Sequence, residues 1–240
     1  MEGDKDMTIP TIAVVSYTGL LPINLINLWL PAAQVALSRD FAPHWSDAKL
    51  RFAAPGTAIE PDEWVLGFFD HSDQAGALGY HTTTAAGLPI MKIFTADCLA
   101  DKQNWNVTSL HEIYETLADP YIDQTVRMTD AAGVVWEYAR EVCDAPEDDH
   151  FARRVNGHLA SNFVLPSWFD PAGVAPFTGY PCPEITAPFM LASGGYIGRR
   201  EIAPTPSEWQ QEYSRIAGSR QNKAETSRTL RRFARDLAAS

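Results

Sequence analysis

His111, Glu112 and Glu115 lie in the run Ser109-Leu-His-Glu-Ile-Tyr-Glu-Thr-Leu-Ala-Asp-Pro120, and their types and spacing carry chemistry. On a helix, residues four apart stand one turn apart on one face. The His111 imidazole and the Glu115 carboxylate can therefore converge on one cation. Glu112 flanks that face, where a general base can take a proton from a polarised water. Leu110, Ile113, Tyr114 and Leu117 fall on the other side and predict a buried stripe that fixes the helix.

Two residues do not close a metal site. Asp119, eight after His111, lies near the same face where the helix ends. Glu141 and Asp144 form an E-x-x-D just before Pro146, and Glu137 is a further acid. The expected metal shell is therefore His111, Glu115, Glu141, Asp144 and Asp119, with Glu112 as the catalytic residue. His71, His81, His150 and His158 are other donors. His81, on a predicted strand, reads as a packed or hydrogen-bonded histidine that can also line the cleft, and His150 and His158 gain no role. Zinc is the first expectation, by the geometric logic of H-E-x-x-H helices with Glu115 in place of the second histidine. The carboxylate-rich shell leaves calcium or another divalent cation as alternatives. Cys143 reads as a small buried residue rather than a ligand or nucleophile.

The elements that must hold these groups read as an α+β fold. Thr11 to Tyr17 is short and β-branched, a buried first strand. Asn24 to Arg39 has helical spacing through Leu25, Leu28, Trp29, Val35 and Ala36, with Pro31 predicted to kink it or to start a new segment. Lys49 to Ala53 and Trp64 to Phe69 are the next strands. Gly76 to Thr82 and Leu88 to Phe94 form a hairpin around a turn containing Gly87. Ser109 and Glu112 have capping-box spacing, so the central helix is predicted to start there and to stop near Ala118, before Pro120. Gly133 to Cys143 stays open between strand and short helix. Residues 155 to 200 are irregular with short strands such as Ser161 to Leu165. From Ser207 the chain reads as helical, in two pieces divided near Gly218. The Gly194-Gly195-Tyr196 run fits no phosphate-loop spacing and reads as a tight turn. Trp64, Phe68, Phe69, Trp105, Trp136, Phe163, Trp168 and Phe169 read as core.

The 240 residues are 45% hydrophobic and 20% charged, which excludes a mainly disordered chain. No apolar run reaches membrane-span length, and the longest, Leu20 to Leu37, is broken by Pro22, Asn24, Asn27 and Pro31. The start MEGDKDMTIP lacks an apolar signal core, so no signal peptide is expected. Three cysteines are too few and too scattered for a disulfide framework. Net charge is −11. Residues 199–240 hold nine basic and five acidic residues, a net +4, which leaves residues 1–198 at −15. Such an acidic body argues against nucleic-acid binding.

Six segments carry a resemblance to a known group. They are Arg39 to Trp45 (RDFAPHW), Asp73 to His81 (DQAGALGYH), Gly87 to Phe94 (GLPIMKIF), Ser109 to Pro120, Glu141 to Asp144 (EVCD) and Ser161 to Asp170 (SNFVLPSWFD). Through them the chain resembles a group of uncharacterised bacterial and phage-associated zincin-like proteins, with H-E-x-x-E where the zincin metallopeptidases have H-E-x-x-H. The resemblance implies a zincin-like mixed sheet, an edge strand lining a cleft above the active-site helix, and a peptide or protein substrate. The expected organisation is a domain over 1–200 and a basic helical segment over 201–240. In that segment Thr226, Leu230, Phe233 and Leu237 form one apolar stripe that can dock on the acidic body, a protein partner or particle, an anionic membrane surface or nucleic acid. The expected location is the cytoplasm or a virion-like particle. Two non-enzymatic alternatives are an accessory protein that keeps a zincin-derived fold and a calcium-stabilised binding module.

Overall fold

The computed structural model describes residues 9–172 and 182–215. The first half builds a five-stranded sheet from β1 (Thr11–Ser16), β2 (Lys49–Ala53), β3 (Trp64–Phe69), β4 (Gly79–Thr83) and β5 (Pro89–Phe94). Their order is β2-β1-β3-β5-β4, with every pairing parallel except the antiparallel β4–β5 edge. Both faces of β1 are covered, Ile12 and Val14 by one apolar cluster and Ala13 and Val15 by another, which is why its apolar run is continuous rather than alternating. The predicted hairpin is present, and Gly87 turns it at φ +80°.

Between β1 and β2 runs α1 (Ile23–Val35). Pro31 sits inside it without ending it, and the chain then widens into a π-helical turn over Ala36–Phe41. The buried face is Ile26, Trp29, Ala32 and Ala33, whereas Leu25 and Leu28 point outward. The predicted stripe is therefore rotated by one residue. The π turn carries Phe41 onto Tyr114, ring against ring at 4.3 Å, with Phe163 edge-on at 5.0 Å. That contact anchors the central helix.

After β5 come α2 (Thr95–Ala100), which the sequence reading missed, and α3 (Trp105–Ala118). α3 starts four residues before the predicted Ser109 cap. Asn104 is the cap, its side chain accepting from the Asn106 N–H, and the Ser109 hydroxyl donates to the Trp105 carbonyl inside the helix. The predicted stop near Ala118 holds.

The second half is antiparallel. β6 (Thr125–Thr129) and β7 (Val135–Ala139) form a hairpin, so the open 133–143 segment resolves partly as strand. β10 (Tyr196–Glu201) and β11 (Gln210–Tyr213) extend it to a four-stranded sheet in the order β11-β10-β7-β6. β11 corrects the expectation of helix from Ser207, because its backbone pairs with β10. The remaining tail prediction, including its apolar stripe, lies outside the described residues. A small hairpin, β8 (Arg153–Val155) and β9 (His158–Ala160), turns at Asn156-Gly157, both at positive φ. Ser161 to Leu165 is not a strand. It is an extended segment beside the 141–146 loop, and the Val164 N–H donates to the Val142 carbonyl. One large apolar cluster joins the sheets and helices, including Trp29, Phe68, Phe163 and Trp168. No helix among the described residues is long and apolar enough to cross a membrane.

Candidate metal centre

α3 presents its polar face inward, which is unusual for a helix carrying two glutamates and a histidine. His111, Glu112 and Glu115 are all buried, as are Leu110, Ile113, Tyr114 and Leu117 on the predicted apolar side. The His111 Nε2 lies 3.1 Å from Glu115 Oε1, the i to i+4 relation expected from the spacing. On its other flank Nε2 lies 3.3 Å from Asp144 Oδ1. The backbone N–H of Cys143 donates to Glu115 Oε1 at 3.3 Å, which ties the 141–146 loop to the helix.

That loop is held from behind. The Tyr196 N–H donates to the Asp144 carbonyl and the Ala192 N–H to the Ala145 carbonyl, both at 3.0 Å. Gly195 lies so close that a Cβ there would stand 2.0 Å from the Ala145 oxygen. The glycine pair is a turn, as read, and Gly195 is what lets the start of β10 press Asp144 toward His111.

His81 joins the site from the edge strand β4. Its Nδ1 lies 3.3 Å from Glu112 Oε2 and 3.8 Å from Glu115 Oε2, and its Nε2 lies 3.9 Å from Glu141 Oε2. Gly79, two residues earlier, leaves room for Glu112, since a Cβ there would meet Glu112 and Thr108 at 3.1 and 2.9 Å. The period of two along the strand is the signal that could have placed His81 on the Gly79 face.

The structure thus gathers His111, Glu112, Glu115, Glu141 and Asp144 and adds His81. Asp119 is buried at the helix end, where its carboxylate accepts the backbone N–H groups of Asp123 and Gln124, both at 3.0 Å. Glu137 lies in the second sheet, held by Arg127, Arg200 and Thr125. His71 pairs with Asp97, and His150 and His158 stand away from the cluster.

The donor chemistry fits a cation. Two atoms bound to one ion at about 2.1 Å stand at most about 4.2 Å apart. The four His–carboxylate separations at His111–Glu115, His111–Asp144, His81–Glu115 and His81–Glu141 all fall below that. Donor atoms of His111, Glu115 and Cys143 lie within 4.8 Å of one another, and so do those of His81, Glu115 and Glu141. Burial, with the Glu115 charge beside it, pushes the Cys143 thiol well above its ordinary value.

Charge makes the same point. Glu112, Glu115, Glu141 and Asp144 are all at most 8% exposed, yet no lysine or arginine among the described residues is buried. Among the other buried acids, Glu63 is paired with Arg51, Glu137 with Arg200, and Asp119 with backbone N–H groups. Buried carboxylates need positive charge or protons.

A cleft of about 120 Å³ reaches this cluster, with His111 in its wall beside Gly79, Thr108, Asp148, Asn162 and Tyr213. Compared with protein-family models, curated proteins and solved structures, the chain matches none.

Proposed function

We propose that this chain is a metal-dependent hydrolase, a zincin-like metallopeptidase in which Glu115 stands where the second helix histidine of an H-E-x-x-H motif would be. The observation that carries the reading is His111 Nε2 set between the Glu115 and Asp144 carboxylates in the wall of a cleft. The antiparallel edge strand β4 passing over α3 supports it, because such an edge can take an extended peptide as a further strand.

His111 and Glu115 would hold the cation, with Asp144 or Cys143 completing the shell. Mixed nitrogen, oxygen and sulfur donors favour zinc or another first-row divalent ion over calcium, which takes six to eight oxygens. A bound cation supplies positive charge that polarises water and the scissile carbonyl. Glu112, whose Oε2 lies 3.3 Å from His81 Nδ1, would take and return a proton. The burial of α3 keeps these groups in one arrangement before any substrate arrives.

The test is hydrolysis of a peptide library by the full chain. Chelation is expected to abolish it and zinc to restore it, and Glu112→Gln to lower it at least about a hundredfold with metal still bound. Turnover indifferent to chelator or to Glu112→Gln overturns the peptidase reading.

A further inference from the structure

We propose that the buried cluster is a two-cation centre in which Glu115 is the shared carboxylate. The inference rests on the reading that His111 and Glu115 hold a metal, and it extends that reading to a second ion on the β4 side.

The donors fall into two groups rather than one. His111 and Cys143 stand with Glu115 in the first, and His81 and Glu141 stand with Glu115 in the second. Glu115 alone belongs to both, and it offers a different oxygen to each imidazole. Its Oε1 faces His111 Nε2 at 3.1 Å, and its Oε2 faces His81 Nδ1 at 3.8 Å. A carboxylate turned this way can bridge two ions about 3.5–4 Å apart, the spacing common in two-metal hydrolases. The first group has an additional acid, Asp144, 3.3 Å from His111 Nε2, and within the second Glu141 lies 3.9 Å from His81 Nε2.

The two imidazoles reach the cluster by independent routes. His111 comes from α3, which is fixed by Phe41 and Tyr114. His81 comes from β4, where its register opposite Met91 of β5 points it inward and leaves it buried. Three carboxylates, those of Glu112, Glu115 and Glu141, face its two ring nitrogens.

Nitrogen and oxygen donors in the second group suit zinc, cobalt(II) or manganese(II).

The experiment uses untagged full chain stripped with chelator and equilibrated against Zn²⁺, then against Co²⁺, with bound metal counted by elemental analysis. Two ions per chain are expected in the wild type and one in His81→Gln. Glu141→Gln, at the outer side of the second group, is the companion variant should His81→Gln fail to fold by circular dichroism, and it is expected to weaken one ion at least tenfold. The di-cobalt wild type is expected to show a spin-coupled, attenuated magnetic-resonance signal that returns to full intensity in the one-ion variant. One ion in wild type and in His81→Gln alike overturns the second site while the proposed metallopeptidase centre stands. Two ions retained in both His81→Gln and Glu141→Gln overturn the assignment of ligands. No bound ion in the wild type overturns this inference and the proposed function together.

Discussion

Gly195→Ala tests how Asp144 is brought to His111. The new Cβ would stand 2.0 Å from the Ala145 carbonyl oxygen, 2.8 Å from its carbon and 3.1 Å from the Asp144 oxygen. A relaxed C···O contact is about 3.3 Å, so the two backbones must part by about 1.3 Å. Neither neighbour is a flexible side-chain end. The movement strains or breaks the Tyr196–Asp144 and Ala192–Ala145 hydrogen bonds, each worth about 1 kcal/mol net. Overpacking adds about 1–3 kcal/mol. The expected loss is about 3–5 kcal/mol, or a fall in melting temperature of roughly 10 °C for a chain of this size. The same movement would draw Asp144 away from His111 and weaken zinc binding at least about tenfold. Differential scanning calorimetry of the stripped protein and zinc titration read the two effects separately. Gly19→Ala, with nothing within 4 Å of its Cβ, is the control and is expected to be close to neutral. If Gly195→Ala melts within about 2 °C of wild type and binds zinc equally well, the loop does not position Asp144 as argued.

Two further outcomes follow from the same geometry. Gly79→Ala places a Cβ 2.9 Å from Thr108 Cγ2 and 3.1 Å from Glu112 Cγ and Oε1. Those neighbours must shift by a few tenths of an ångström, so stability is expected to fall by about 1 kcal/mol and peptide hydrolysis by more than the metal content; equal losses in both would refute it. At Glu137, burial alone would raise the carboxyl, but hydrogen bonds from Arg200 and Thr125 outweigh it and leave it below its ordinary 4.5. A carboxyl lowered by folding stabilises above its unfolded value and loses that stabilisation as pH falls through the folded one. Glu137→Gln is therefore expected to cost about 2 kcal/mol at pH 7 and progressively less below about pH 4.5, read from urea midpoints; a pH-independent difference would refute it.

The first half of the fold was legible because its signals are local. β1 declares itself through a β-branched run, β2 and β3 through short apolar and aromatic stretches, the β4–β5 hairpin through a turn glycine, and α3 through its apolar stripe and Pro120. The cap of α3 was misplaced because Ser109 and Glu112 satisfy the capping-box spacing as well as any true start. What decides between Ser109 and Asn104 is burial, since Glu112 is needed inside. The second half was less legible. β6, β7 and β11 are short and partly exposed, and the hairpins they form join into one sheet only through the β7–β10 pairing, which is distant in sequence. Asn156-Gly157 is a hairpin signal that was present and unread. For the site, His111–Glu115 followed from helical spacing, and Asp144 and Glu141 from a carboxylate pair near a proline. His81 did not follow, because a single histidine on a strand acquires meaning only when the sheet edge is laid across the helix.

The location of the cluster explains why so much acid is buried in one place. α3 and β4 belong to the first half of the chain, whereas Glu141, Cys143 and Asp144 lie on the loop leaving β7, and β10 braces that loop from behind. The polar groups therefore sit on the seam between the two sheets, where apolar side chains would have packed more cheaply. No lysine or arginine among the described residues is buried, and a bound cation would join these carboxylates into a cross-link between the halves. On this reading the site and the fold are one energetic unit. Any substitution that loosens the seam, as at Gly195, would act on the chemistry through the distance between Asp144 and His111.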